Sequence, residues 1–126
     1  KLDATAQTKT VAVAQVPPSA KIGDIGPMTI ANFSLELRKC NTVIWNGPLG
    51  IFELSPFAAG TQAIARVLST LKGATTVVGG GSTAEAVESL GLADKITHVS
   101  TGGGASLEFM EGKTLPGVEV LLEKRP

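Results

Sequence analysis

Short β-branched runs alternate along this chain with longer segments in which apolar residues recur every three or four positions. Thr75-Thr76-Val77-Val78 reads as a buried strand, Gly79-Gly80-Gly81 follows, and the small residues from Ser82 to Val87 open a helix with Ser82 or Thr83 as its N-cap. The same order returns twice. Thr42-Val43-Ile44-Trp45 enters Asn46-Gly47-Pro48-Leu49-Gly50, and His98-Val99-Ser100-Thr101 enters Gly102-Gly103-Gly104 before another apolar helix. Two more helices are expected. One covers residues 28–38 behind Pro27, with Ile30, Phe33 and Leu37 as its buried stripe. The other runs from Ser55-Pro56 to Lys72-Gly73, with Phe57, Ile64, Val67, Leu68 and Leu71 as its apolar face. Residues 10–14 and 21–25 are expected as short strands, Leu115-Pro116-Gly117 as a turn, and residues 118–122 as an apolar tail that must dock on something. Alternating strands and helices specify an α/β fold, with a mostly parallel sheet and flanking helices.

Composition narrows this picture. With 126 residues the chain is long enough for one core, and 11 basic against 11 acidic residues leave no net charge. Nucleic acid and anionic membrane surfaces are therefore disfavoured as partners. The single cysteine, Cys40, forms no internal disulfide, suits a reducing compartment, and is expected to serve packing rather than chemistry. No apolar run is long enough to span a bilayer, and no signal-peptide pattern opens the chain. The start, Lys1-Leu2-Asp3-Ala4-Thr5, lacks an initiator Met, as expected after cleavage or where a chain begins inside something larger.

Candidate chemistry lies in the glycine loops. Parallel strands place their carboxyl ends along one edge, so the three loops should converge on one crevice. Unpaired amides and helix N-termini aimed at one point make a place for an anion. Phosphoryl transfer also needs cations, and none of the arginines (Arg38, Arg66, Arg125) nor any lysine falls inside a glycine loop. The pattern is that of the nucleotide-binding half of a site, with positive charge supplied elsewhere. Pro48, Leu49 and Ile51 offer an apolar slot for a purine, and Glu53 a carboxylate for ribose hydroxyls; alternatively Ile51 and Phe52 are core and Glu53 a solvated charge. His98 stands beside a glycine loop, where acid–base work is conceivable, but without a neighbouring carboxylate a structural role at a strand start is expected.

Four motifs together resemble phosphoglycerate kinase: Asp24-Ile25-Gly26-Pro27, Trp45 through Glu53, Gly79-Gly80-Gly81, and the long run from His98 to Gly117. The resemblance covers nearly the whole chain. It implies reversible phosphoryl transfer between 1,3-bisphosphoglycerate and ADP, giving 3-phosphoglycerate and ATP in glycolysis, with Mg2+, in a cytoplasmic and monomeric full-length enzyme. It also implies that residues 1–126 are a single partial domain, the C-terminal portion of the nucleotide-binding lobe of a two-lobed kinase, lacking the N-terminal lobe that holds phosphoglycerate and inactive alone. By position, Pro48 and Ile51 would flank adenine, Glu53 would take the ribose hydroxyls, and Asn46 would approach the phosphates. Gly80, Gly81, Ser82 and Thr83 would lie at the nucleotide phosphates, and Gly102, Gly103 and Gly104 would lead the helix that steadies the transferring group, making Gly81, Gly103 and Gly104 the catalytic positions. Residues 98–101 would fall in a hinge, and residues 118–122 would pack on the absent lobe. Ser82 stands where the family usually has a magnesium-associated Asp, so weaker metal dependence on the protein side is expected. Ile22-Gly23 departs from a common Gly-Leu, so no adenine contact is assigned there. The alternatives are a non-catalytic adenine-nucleotide-binding module and, more weakly, a dinucleotide-dependent oxidoreductase; the glycine run lacks the full dinucleotide spacing.

Overall fold

Three β-branched runs pair as expected. In the computed structural model, which describes residues 2–122, β1 (Thr42–Asn46), β2 (Thr75–Gly79) and β3 (His98–Ser100) form one sheet in the order β1-β2-β3. Both pairings are parallel, with Asn46 opposite Gly79 and Gly79 opposite Ser100, so the three strands end side by side. Around them lie α1 (Pro27–Leu37), α2 (Ala59–Thr70), α3 (Gly81–Ser89), α4 (Gly103–Met110) and α5 (Pro116–Leu122).

The core is where strands and helices bring their apolar faces together. Val43 and Trp45 of β1, Val78 of β2, Ile64, Ala65 and Leu68 of α2, Val87 of α3 and Ile96 form one buried cluster. Burying each large aliphatic side chain stabilises the fold by about 1.5–3 kcal/mol. Before the β2–β3 ladder begins, Thr76 and Thr97 bond reciprocally, each backbone N–H donating to the other's hydroxyl oxygen at 3.0 Å. Beyond it, Gly80 N–H donates to the Ser100 carbonyl at 3.0 Å, carrying the ladder one residue past β2.

Several sequence expectations change. Residues 10–14 and 21–25 are not strands: the first is irregular with a 3-10 turn at Val13–Gln15, and the second is coil. A strand needs a partner, and the bonds of the second segment go elsewhere. Ile25 N–H is taken by the Asp24 carboxylate, and the Gly23 carbonyl by Ile51 N–H. The helix behind Pro27 forms, but Ile30 and Leu37 are only half-buried and Phe33 is 45% exposed. Helix α1 packs mainly on α2, and β1 is an edge strand, so a groove of about 230 Å³ along Phe33, Leu37 and Ile44 stays open. The long helix starts at Ala59; Ser55–Phe57 is a 3-10 turn that still buries Phe57. Pro116 opens α5 instead of lying in a turn, and residues 118–122 are helical and exposed. Cys40 is exposed, its Sγ against the Glu36 carbonyl at 3.4 Å, so it packs into no core. Arg125 lies outside the described residues.

Candidate functional site

The glycine loops do share one edge. Asn46, at the end of β1, donates through Nδ2 to the Gly103 carbonyl at 3.1 Å, spanning the loop of β2 between them. A Cβ on Gly103 would meet Gly80 Cα at 2.9 Å and Asn46 Oδ1 at 3.1 Å. Backbone therefore lies on backbone where α3 and α4 begin, and only glycine fits.

Neither Ser82 nor Thr83 caps α3. Gly80 is the N-cap, at φ 94°, a left-handed conformation that turns strand directly into helix without a side-chain cap. The first intrahelical bond of α3 is Ala84 N–H to the Gly80 carbonyl, and that of α4 is Ser106 N–H to the Gly102 carbonyl. The amides of Gly81, Ser82 and Thr83, and of Gly103, Gly104 and Ala105, therefore have no partner among the described residues. Two helix N-termini thus present unpaired donors side by side, each equivalent to roughly half a positive charge.

The loop leaving β1 forms the third wall, held by Thr83, which sequence reading placed at the phosphates, and by groups such as Thr61 that it did not single out. Gly47 N–H donates to Thr83 Oγ1 at 2.8 Å, and Leu49 N–H to Thr61 Oγ1 at 3.1 Å. The Trp45 indole N–H donates to the Gly47 carbonyl at 2.7 Å, and Ile51 N–H to the Gly23 carbonyl at 3.0 Å. Asp24 accepts Gly60 N–H at the start of α2, 2.8 Å away. On the β3 side, Ser100 Oγ accepts Gly102 N–H at 3.2 Å and the Ser106 hydroxyl at 3.2 Å.

The residues singled out from sequence divide by accessibility. Asn46, Gly81, Ser82, Gly102 and Gly104 are exposed along the edge, Glu53 is exposed in a turn farther along the loop after β1, Pro48, Ile51, Gly80 and Gly103 are half-buried, and Thr83 is fully buried. Leu49, expected in an apolar slot with Pro48 and Ile51, packs against the core beside the α1–β1 groove. His98 opens β3 with its side chain exposed. Among the described residues no three His, Cys, Asp or Glu side chains cluster as a metal site, and no helix is long and apolar enough to cross a membrane. A polar hollow of about 270 Å³ beside Arg38, Cys40 and Lys72 borders the residues that precede β1 and β2, away from the glycine edge.

The profile of the family described as phosphoglycerate kinase matches residues 1–113. The phosphoglycerate kinase of Chloroflexus aurantiacus is 56% identical over 120 residues, covering 94% of this chain and 30% of that protein. That of a Synechococcus species is 53% identical over 125 residues, covering 98% of this chain and 30% of its own length. Among solved structures, phosphoglycerate kinase from Coxiella burnetii matches with a TM-score of 0.86 and 38% identity over 96% of this chain and 31% of that one. The enzyme from Pyrococcus horikoshii OT3 gives 0.73 and 37% over 81% of this chain and 25% of that one. The chain spans about 30% of the length of the curated relatives it matches.

Proposed function

The chain belongs to the phosphoglycerate kinase family, and from that membership we propose that it carries the adenine-nucleotide half of the kinase site. In this reading it serves the reversible transfer of a phosphoryl group between 1,3-bisphosphoglycerate and ADP, giving 3-phosphoglycerate and ATP. The observation that supports it best is the meeting of two helix N-termini at Gly80 and Gly103, with unpaired amides and no cation in the loops.

Asn46 and the amides of Gly81, Ser82 and Thr83 take the nucleotide phosphates, Pro48 and Ile51 flank the base, and Glu53 accepts hydrogen bonds from the ribose. Gly102, Gly103 and Gly104 lead the helix whose amides face the transferring group. Two helix ends contribute roughly one positive charge together, whereas a terminal phosphate carries about −1.5 to −2. The deficit must be met by cations from outside these loops. That accords with a chain forming the later part of a nucleotide-binding lobe, whose partner lobe holds phosphoglycerate. Magnesium enters with the nucleotide as part of the substrate; Ser82 adds one neutral oxygen to the donors the phosphates supply.

Calorimetry tests the site and a coupled assay tests the activity. The isolated chain should bind ADP and ATP, leave NAD unbound, and show no turnover. NAD binding without adenine-nucleotide binding would overturn the reading in favour of a dinucleotide enzyme, and turnover would overturn the claim that another lobe is needed. The lack of any lysine or arginine inside the glycine loops also suits a second reading, a non-catalytic adenine-nucleotide-binding module. Adding the separately produced remainder of a relative distinguishes the two, since only a kinase half regains turnover.

A further inference from the structure

The segment between β1 and α2 has no regular structure before residue 55, and its first residue, Gly47, sits at φ 103° with open space where a side chain would be. Such a loop is intrinsically free to wander, yet it carries Pro48 and Ile51. Two of the bonds that restrain it come from side chains of almost no accessibility. Thr83 is 0% exposed and Thr61 is 1% exposed, and each is the third residue of its helix, Thr83 in α3 and Thr61 in α2. Their hydroxyl oxygens accept the N–H groups of Gly47 and Leu49, the residues on either side of Pro48, which has no N–H of its own.

We propose that Thr83 and Thr61 are a pair of positioning residues that hold Pro48 from both sides, so that the first turns of two helices set the geometry of the nucleotide loop. The inference rests on the adenine-nucleotide reading above and assigns within it a role that touches no ligand. Thr83 was expected at the phosphates, but its hydroxyl is buried and committed to Gly47, leaving only its backbone amide for a ligand. Removing either hydroxyl leaves a half-buried donor without its acceptor, and the loop must turn that amide outward to satisfy it. The two ends act on different parts of the ligand. Thr83 anchors the stretch beside Asn46, where phosphates would lie, and Thr61 anchors the stretch leading to Ile51, where the base would lie.

The test is calorimetry on the full 126-residue chain with ADP, adenosine and inorganic pyrophosphate, for the unaltered protein and for Thr83→Val, Thr83→Ser, Thr61→Val and Thr61→Ser. Thr83→Val should weaken ADP and pyrophosphate about tenfold and adenosine much less, and Thr61→Val should weaken ADP and adenosine about tenfold while sparing pyrophosphate. Both serine variants, which keep the hydroxyl, should bind like the unaltered chain. If the unaltered chain binds ADP and both folded valine variants bind it equally well, the positioning role is wrong and the nucleotide reading stands. If the unaltered chain binds no ADP, the nucleotide reading falls and takes the pair's role with it. Amide exchange on the unaltered chain decides the matter should a valine variant not fold: Gly47 and Leu49 should exchange slowly although they lie in a loop, and rapid exchange at both overturns the proposal.

Discussion

The contact between Gly80 and Gly103 can be tested by one added methyl group. In Gly103→Ala the new carbon would lie 2.9 Å from Gly80 Cα, 3.2 Å from Gly80 N and 3.1 Å from Asn46 Oδ1. Two of these neighbours are backbone in a residue whose N–H is bonded to Ser100, so neither side can yield without breaking the ladder extension at 3.0 Å. Overpacking of this kind costs about 1–3 kcal/mol. For a chain of this size that is a fall in Tm of roughly 3–15 °C. The control lies one residue on. A Cβ on Gly104 meets nothing within 4 Å, so Gly104→Ala should be neutral or stabilise by up to about 1 kcal/mol through its better helix propensity. Thermal and urea unfolding of both variants measures the contrast. If Gly103→Ala matches the unaltered protein, or Gly104→Ala loses as much as Gly103→Ala, the two helix starts are not in contact and the site geometry is wrong.

Four further outcomes follow from the structure. Asp24→Ala removes the acceptor of Gly60 N–H at the start of α2 and should cost about 1–2 kcal/mol in urea unfolding, with Asn retaining part of the effect; an unchanged midpoint in both would refute the cap. Thr76→Val leaves Thr97 N–H without its acceptor and should lose about 1–3 kcal/mol, which calorimetric melting would detect. Leu68→Ala, at a side chain only 1% exposed, should lose about 2–5 kcal/mol, and a loss below 1 kcal/mol would mean that the core is not built around α2. Ser82→Asp should tighten magnesium-bound ADP and weaken metal-free ADP, since the added carboxylate attracts the ion but repels bare phosphate; no difference between the two ligands would refute it.

The strands and their loops were legible because β-branched runs followed by glycines state both where a strand lies and where it stops. Their convergence was legible too, since parallel pairing leaves the ends no alternative to a common edge. Depth was harder to read. The periodicity of Ile30, Phe33 and Leu37 names a face of α1, but how far that face is buried depends on what covers it, and β1 is an edge. Residues 10–14 have strand-like composition without a strand beside them. The N-cap was misread because propensity favours Ser or Thr, whereas the φ of 94° at the cap position favours glycine. Thr61, and the bond that ties Thr83 to Gly47, went unnoticed for another reason. Their bonds reach across 12 and 36 residues, and no local spacing announces a partner so far along the chain.

The surface turned outward at Gly80 and Gly103 is almost entirely peptide group, and peptide groups are alike whatever residue the gene encodes. A mutation there can obstruct the edge but cannot give it a new chemical preference. Any change of ligand in the descendants of this chain would therefore have to arise around it, at positions such as Pro48, Ile51 and Glu53, where inheritance still has side chains to vary.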